Sequence, residues 1–219
     1  MATKLLLAEL ANLWKLKSGI AVTLESVGGV LAAKRVRDGE AFDGVVLASD
    51  AIASLVAEGF AVAGSQTDLV HSYVAVAVKA GAPVPDISTE VALRRAIDAA
   101  TTVGYSTGPS GVALVKLFEQ WGMSASVAAR TVQVPPGIPV GELVARGDVA
   151  LGFQQLSELM GLSGITLAGL LPEPVSITTV FTAAVCTASS KRQDMTNFFK
   201  FLASADAAAI KQRCGMSAA

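Results

Sequence analysis

Residues 101–122 read TTVGYSTGPSGVALVKLFEQWG, and this stretch contains one complete strand–turn–helix unit. Thr101 to Tyr105 is a short β-branched and apolar run, which predicts a strand. Val112 to Trp121 has the apolar spacing of an amphipathic helix. Gly108 suits the N-cap of that helix and Pro109 its first position, where the missing N–H costs nothing.

The turn between this strand and helix has the composition of an anion site. Three hydroxyls and two glycines lie close together, and helix starts offer unpaired N–H groups and a positive dipole end. Ordinary helix capping also selects Ser, Thr and Gly, so the residues alone leave both interpretations open. The predicted ligand-binding residues here are Tyr105, Ser106, Thr107, Gly108, Ser110 and Gly111.

Strand–turn–helix units recur along the chain and predict an α/β fold with mainly parallel sheets and flanking helices. Two long strands, Leu69 to Lys79 and Val175 to Thr187, bracket a central segment and suggest a two-strand hinge. We therefore expect lobe 1 to contain residues 1–78 and 182–219, and lobe 2 residues 79–181. A cleft between two such lobes is the expected ligand site.

Further candidates come from other turns and strand ends. Ser26 and Gly28 lie in a turn that follows a predicted strand, Ile20 to Glu25, and precedes a second helix. Gln154 follows a strand at its carboxyl end, where ligands of parallel sheets bind. His71 is the only histidine and lies on an alternating strand, so a structural role competes with a role as general base.

Composition excludes several function classes. The net charge is −1 and no cluster of Lys and Arg is large, which argues against nucleic acid as a partner. The mean hydropathy of +0.55 comes without a run of ~20 apolar residues, so we expect no membrane insertion. One histidine and two distant cysteines predict no metal site, and the absence of G-x-G-x-x-G and P-loop motifs predicts no cofactor.

The two cysteines and the N-terminus leave alternatives open. Cys186 lies in an apolar strand and suits a buried free thiol, and pairing with Cys214 requires an oxidising compartment. Met1 leads directly into an amphipathic helix without a signal-peptide pattern, which predicts a cytoplasmic protein if this start is genuine.

Three stretches resemble the molybdate-binding-protein-like group of type II periplasmic solute-binding proteins. They are Ala80–Thr89, Tyr105–Gly111 and Gly141–Gln154. The resemblance covers nearly the whole chain. It implies two α/β lobes joined by a two-strand hinge, periplasmic localisation, a small anionic ligand held by serines and amides, and an ABC permease as partner.

The resemblance also implies which residues of this chain bind the ligand, and it shows where the chain departs from the family pattern. Ser26 and Ser106 to Gly111 match the ligand turns, whereas the first strand and its serine loop would lie before Met1, with Thr3 as the remaining hydroxyl. The Tyr-Ser-Thr-Gly-Pro-Ser-Gly form is more similar to a divergent branch that includes aconitate-isomerase-like proteins. We expect a solute-binding protein for an oxyanion or a di- or tricarboxylate. The alternative is an isomerase that shifts a proton, with His71, Tyr105 or Ser106 as candidate catalytic residues.

Overall fold

The computed structural model describes residues 1–219, in which helices and strands alternate. The strands are β1 Gly44–Ala48, β2 Thr67–Lys79, β3 Val103–Ser106, β4 Thr131–Val134, β5 Leu151–Gln155, β6 Ile165–Leu170, β7 Thr178–Val185 and β8 Met216–Ala218. The α-helices are α1 Lys4–Ser18, α2 Gly29–Arg37, α3 Ser49–Ala57, α4 Glu90–Ala99, α5 Pro109–Gln120, α6 Ser124–Val127, α7 Val140–Arg146, α8 Leu156–Leu159, α9 Arg192–Ala203 and α10 Ala208–Arg213.

The chain divides into two compact units. Unit 1 contains residues 1–72 and 179–219, and unit 2 contains residues 73–178. The chain crosses between the units within β2 and at the start of β7. The lobe boundaries expected from the sequence, 78/79 and 181/182, fall within the same two strands.

Unit 1 is built on antiparallel pairs. β1 pairs with β7 over five residues, from Gly44 opposite Val185 to Ala48 opposite Phe181. The first part of β2 pairs with β8, with Val70 opposite Ala218. One apolar cluster joins α1 and α9 to these strands, and Trp14 stacks at a tilt against Phe198 and Phe201 within it.

Unit 2 contains the parallel strands. β3 pairs in parallel with β4 on one side and β5 on the other, while β2 pairs antiparallel with β5 and β6. Alternation along β2 explains its two-sided burial: Val74, Val76 and Val78 enter one apolar cluster, whereas Ala75 and Ala77 enter another. The prediction of mainly parallel sheets therefore holds only for β3, β4 and β5. The other strands reverse direction and pair antiparallel.

The predicted start of α5 is confirmed, since Gly108 is its N-cap and Pro109 its first residue. Gly19 ends α1 in the left-handed conformation, with φ at 76°. Thr89 caps α4, because its side chain accepts a hydrogen bond from the amide of Ala92 at 3.1 Å. The short closing strand β8 was missed, since three residues carry too little alternation to be recognised.

The predicted strand from Ile20 to Glu25 is wrong. These residues lie outside every strand of the structure. A segment with alternating polar and apolar residues forms a strand only when its backbone hydrogen-bonds to a neighbouring strand. This segment has no such neighbour, and a side chain at its end holds it to α2. The Glu25 carboxylate pairs with Arg35 at 2.8 Å, and the same guanidinium binds Glu40 and covers the ring of Phe42.

A buried lysine ties the C-terminal region of unit 1 to β2. Lys211 of α10 is 1% exposed, and its Nζ donates to the carbonyl oxygen of Leu69 at 2.8 Å. Burial disfavours the ammonium form and lowers the pKa of Lys211 below its ordinary value. The side chain thus donates a hydrogen bond to the Leu69 carbonyl of β2, while its ammonium group loses its contact with water.

We predict that Lys211→Met removes a pH dependence from the stability of the protein. Between the lowered folded-state pKa and the ordinary unfolded value of about 10.4, the unfolded chain binds one proton more, so the wild-type free energy of unfolding rises with pH. In urea unfolding, the free energy of unfolding of the wild type should rise relative to that of the variant. The rise should reach ~1.4 kcal/mol per pH unit as the pH approaches about 10.

Lys200→Met, at an exposed position of α9, is the matched control and should follow the wild-type profile. Parallel pH profiles for wild type and the Lys211 variant would contradict the assignment of a lowered pKa to Lys211.

Candidate functional site

The parallel strands of unit 2 bring several predicted site residues to one edge. β3 and β5 pair in register, with Tyr105 opposite Phe153. Continuing this register by one residue sets Ser106 beside Gln154 on strands about 4.8 Å apart. Ser106 also pairs with Val134 at the end of β4. We call this end of β3, β4 and β5 the carboxyl edge.

The turn from β3 into α5 forms a small network of hydroxyls. The Ser106 hydroxyl lies 3.2 Å from the Ser110 hydroxyl and accepts a hydrogen bond from the Gly108 amide at 3.3 Å. Ser110 is buried, whereas Ser106 and Thr107 are half-buried. Two hydroxyls are therefore held together beside the first turn of α5. In that turn Pro109 has no amide N–H and the Gly111 amide donates to the Gly108 carbonyl at 3.0 Å, so the Ser110 amide is the one that remains for a ligand.

Gly111 allows α5 to approach β3 closely. A Cβ atom at Gly111 would lie 1.7 Å from the carbonyl oxygen of Ser106, which no backbone tolerates. At Gly108 a Cβ would meet only the Ser106 Oγ, at an ordinary 3.6 Å. The glycine at 111 thus determines how near the hydroxyl pair lies to the helix start.

Gln154 lies at this edge, but its amide already has partners within unit 2. It is buried, and its Oε1 accepts a hydrogen bond from the Gly141 amide at 3.3 Å. Its side chain also lowers the pKa of the nearby Glu158 carboxyl in α8. Gln154 is thus engaged within unit 2, and its role as a direct ligand remains a prediction.

Sequence reasoning missed Glu158. Burial raises the pKa of its carboxyl and outweighs the neighbouring groups that lower it. Beside it, the Ser157 hydroxyl is buried without a hydrogen-bond partner.

The remaining ligand candidates belong to unit 1. Thr3 is buried at the N-cap of α1, yet its hydroxyl makes no capping hydrogen bond. Gly28 is the N-cap of α2 and its carbonyl accepts from the Ala32 amide at 2.9 Å, while Ser26 is exposed. The structure therefore divides the predicted site residues between the two units.

His71 has a structural partner in unit 1. It is half-buried on β2, and its Nδ1 lies 3.1 Å from the carbonyl oxygen of Ala218 on β8. This geometry makes Nδ1 the donor and helps to hold the short closing strand. Of the two interpretations offered by the sequence, it favours the structural one.

The cysteines are free thiols. Burial and the nearby Asp43 carboxylate raise the pKa of the Cys186 thiol to about 11, and burial raises that of Cys214 as well. Their low thiolate content makes both poor nucleophiles at neutral pH. No group of three or more His, Cys, Asp and Glu side chains is arranged to hold a metal ion, and no helix has the length and hydropathy to cross a membrane.

A family model described as bacterial extracellular solute-binding protein matches residues 1–217. The chain belongs to this family. Its predicted class, a solute-binding protein, is thereby confirmed. A curated relative, the aconitate isomerase of a Pseudomonas species, is 37% identical over 183 residues, which is 83% of this chain and 70% of that protein.

Solved structures confirm the α/β fold of periplasmic binding proteins. The periplasmic molybdate-binding protein of Azotobacter vinelandii is similar with a TM-score of 0.78 at 19% identity, over 96% of this chain and 93% of that one. A tungstate ABC transporter structure from Geobacter sulfurreducens gives a TM-score of 0.72 at 15% identity, over 95% and 92% of the two chains. At these identities the likeness concerns the fold.

We predict that Gly111→Ala destabilises unit 2 by about 3 kcal/mol, because the new methyl group forces α5 away from the Ser106 carbonyl. Gly108→Ala is the matched control and should cost less than about 1 kcal/mol, since its φ of −80° suits alanine and its surroundings are open. Urea denaturation measures both values. Equal losses for the two variants would show that the close approach at Gly111 is not a constraint.

Proposed function

We propose that this chain binds a small organic polycarboxylate at the carboxyl edge of unit 2, with the Ser106–Ser110 hydroxyl pair and the Ser110 amide at the start of α5 as donors. The observation that carries the proposal is the 3.2 Å contact between these two hydroxyls beside a helix start. Hydroxyls and amides can hold a carboxylate without burying an opposing charge, and the helix dipole favours an anion there.

The choice of a carboxylate over a tetrahedral oxyanion has two supports. The turn carries Tyr105 and Thr107 beside its serines, which offers more donors than a compact oxyanion uses. The relative at 37% identity is named for aconitate, a tricarboxylate. The molybdate- and tungstate-related structures are far more distant in sequence and favour the competing ligand class.

The family description also supports a location and a partner. We propose that the protein acts outside the cytoplasmic membrane and delivers its ligand to an ABC permease. Its family is described as extracellular, and a protein of similar structure is described as part of an ABC transporter. Thr3, Ser26 and Gly28 are proposed as further ligand contacts from unit 1.

Titration calorimetry with trans-aconitate, citrate, molybdate and sulfate tests the ligand class. We expect heat of binding with the two carboxylates and none with sulfate. A site that binds molybdate and ignores both carboxylates would replace the proposal with an oxyanion receptor.

We predict that Ser106→Ala weakens trans-aconitate binding by ~1–3 kcal/mol, because a hydroxyl donor to the ligand is lost and Ser110 loses its partner. Ser124→Ala, at an exposed position in α6, is the control and should leave the affinity unchanged. If Ser106→Ala binds as tightly as wild type, the hydroxyl pair only caps the helix.

A second candidate function is isomerisation of the bound acid by a proton shift. The 37% identity to an aconitate isomerase favours it. A receptor and an isomerase both bind the acid, but only the isomerase exchanges its carbon-bound protons with solvent.

A further inference from the structure

The Ser110 hydroxyl is a buried proton donor with one acceptor beside it. The residue is 4% exposed, and its side chain has the Ser106 hydroxyl, at 3.2 Å, as its hydrogen-bond partner. A buried O–H group that donates to no acceptor costs free energy, because folding has removed its hydrogen bond to water. Ser110 therefore satisfies its proton by donating it to the Ser106 oxygen.

This contact fills the acceptor side of Ser106. A hydroxyl oxygen has two acceptor positions and carries one proton. The Gly108 amide occupies one position at 3.3 Å, and the Ser110 hydroxyl occupies the other. Ser106 is half-buried, so its own proton is the one of the pair that faces an approaching ligand. Toward that ligand, Ser106 can only donate.

The reverse arrangement of the pair is less stable. If Ser106 donated to Ser110, the Ser106 oxygen would keep an open acceptor position, but the Ser110 proton would have no acceptor. The cost of a buried donor without a partner corresponds to about fivefold or more in an equilibrium constant. The burial of Ser110 thus decides the direction of the hydrogen bond between the two hydroxyls.

We propose that Ser110 is a positioning residue that makes Ser106 a donor toward the ligand and thereby selects a carboxylate over a carboxamide. The proposal rests on the proposed function, since it requires the acid to bind at Ser106. A carboxylate offers acceptor oxygens to both the Ser106 hydroxyl and the Ser110 amide. A primary carboxamide of the same shape replaces one oxygen by an NH₂ group, so it sets a donor against a donor.

A bound carboxylate also strengthens the pair. The two contacts of the Ser106 oxygen, at 3.2 and 3.3 Å, are long for hydrogen bonds. When the Ser106 proton goes to a carboxylate, the Ser106 oxygen becomes a better acceptor for the Ser110 proton. The chain from Ser110 through Ser106 to the ligand therefore runs in one direction, and each bond supports the next.

We predict that Ser110→Ala lowers the discrimination between trans-aconitate and its monoamides. Without the Ser110 proton, the Ser106 oxygen has an open acceptor position and can accept from an amide NH₂ group. Calorimetry with the acid and with each monoamide gives the ratio of the amide Kd to the acid Kd. For the monoamide whose NH₂ faces Ser106, this ratio should fall at least about fivefold, while the acid Kd changes less than about threefold.

Three further variants control this experiment. Ser124→Ala makes the same chemical change at an exposed position of α6 and should keep the wild-type ratio. Ser110→Thr returns a hydroxyl and should restore the ratio, which a loss of packing alone would not explain. In a Ser106→Ala background, Ser110→Ala should leave the ratio unchanged, because Ser110 acts through Ser106. Alanine is a strong helix former, so we expect the Ser110→Ala variant to fold.

The outcomes separate the proposal from the function on which it rests. Wild-type protein that does not bind trans-aconitate overturns both. Wild-type protein that binds the acid and all its monoamides equally overturns the selection by Ser110 and leaves the binding function intact. The proposal alone also fails if Ser110→Ala keeps the wild-type ratio for every monoamide, weakens all ligands alike, or has the same effect when residue 106 is alanine.

Discussion

The parallel register of β3 with β5 sets Tyr105 opposite Phe153, and the contents of the carboxyl edge follow from this pairing. It aligns the ends of the two strands, so the turns after Ser106 and after Gln155 leave the sheet together. A shift by one residue would turn every side chain of one strand to the opposite face. The apolar clusters on the two faces of this sheet resist such a shift, because each is filled by alternating residues.

The carboxyl edge also shows how packing and chemistry depend on each other. Gly111 lets α5 approach the Ser106 carbonyl, and that approach brings the Ser110 hydroxyl to the Ser106 hydroxyl. The Gly141 amide holds the buried Gln154 side chain near the end of β5. Backbone contacts therefore determine the geometry of the polar groups at this edge, and an isomerase and a receptor could share the same donors.

Membership of a solute-binding family does not by itself exclude catalysis. A relative of this chain carries the name of an isomerase, while solved structures of the same fold are named for binding molybdate or for tungstate transport. The fold supplies strand ends and helix starts that suit anions, and the reaction depends on side chains added to them.

The sequence by itself determined the α/β class, the helix that starts at Gly108 and Pro109, and the hydroxyl-rich turn, because local backbone preferences and periodicity are written in neighbouring residues. It did not determine which strands pair, and so it predicted mainly parallel sheets and a strand from Ile20 to Glu25 that has no neighbour. The tertiary structure alone decided that Lys211 would be buried against Leu69 and that Gln154 would be held by Gly141. Each of these depends on contacts between residues that only the folded chain brings together.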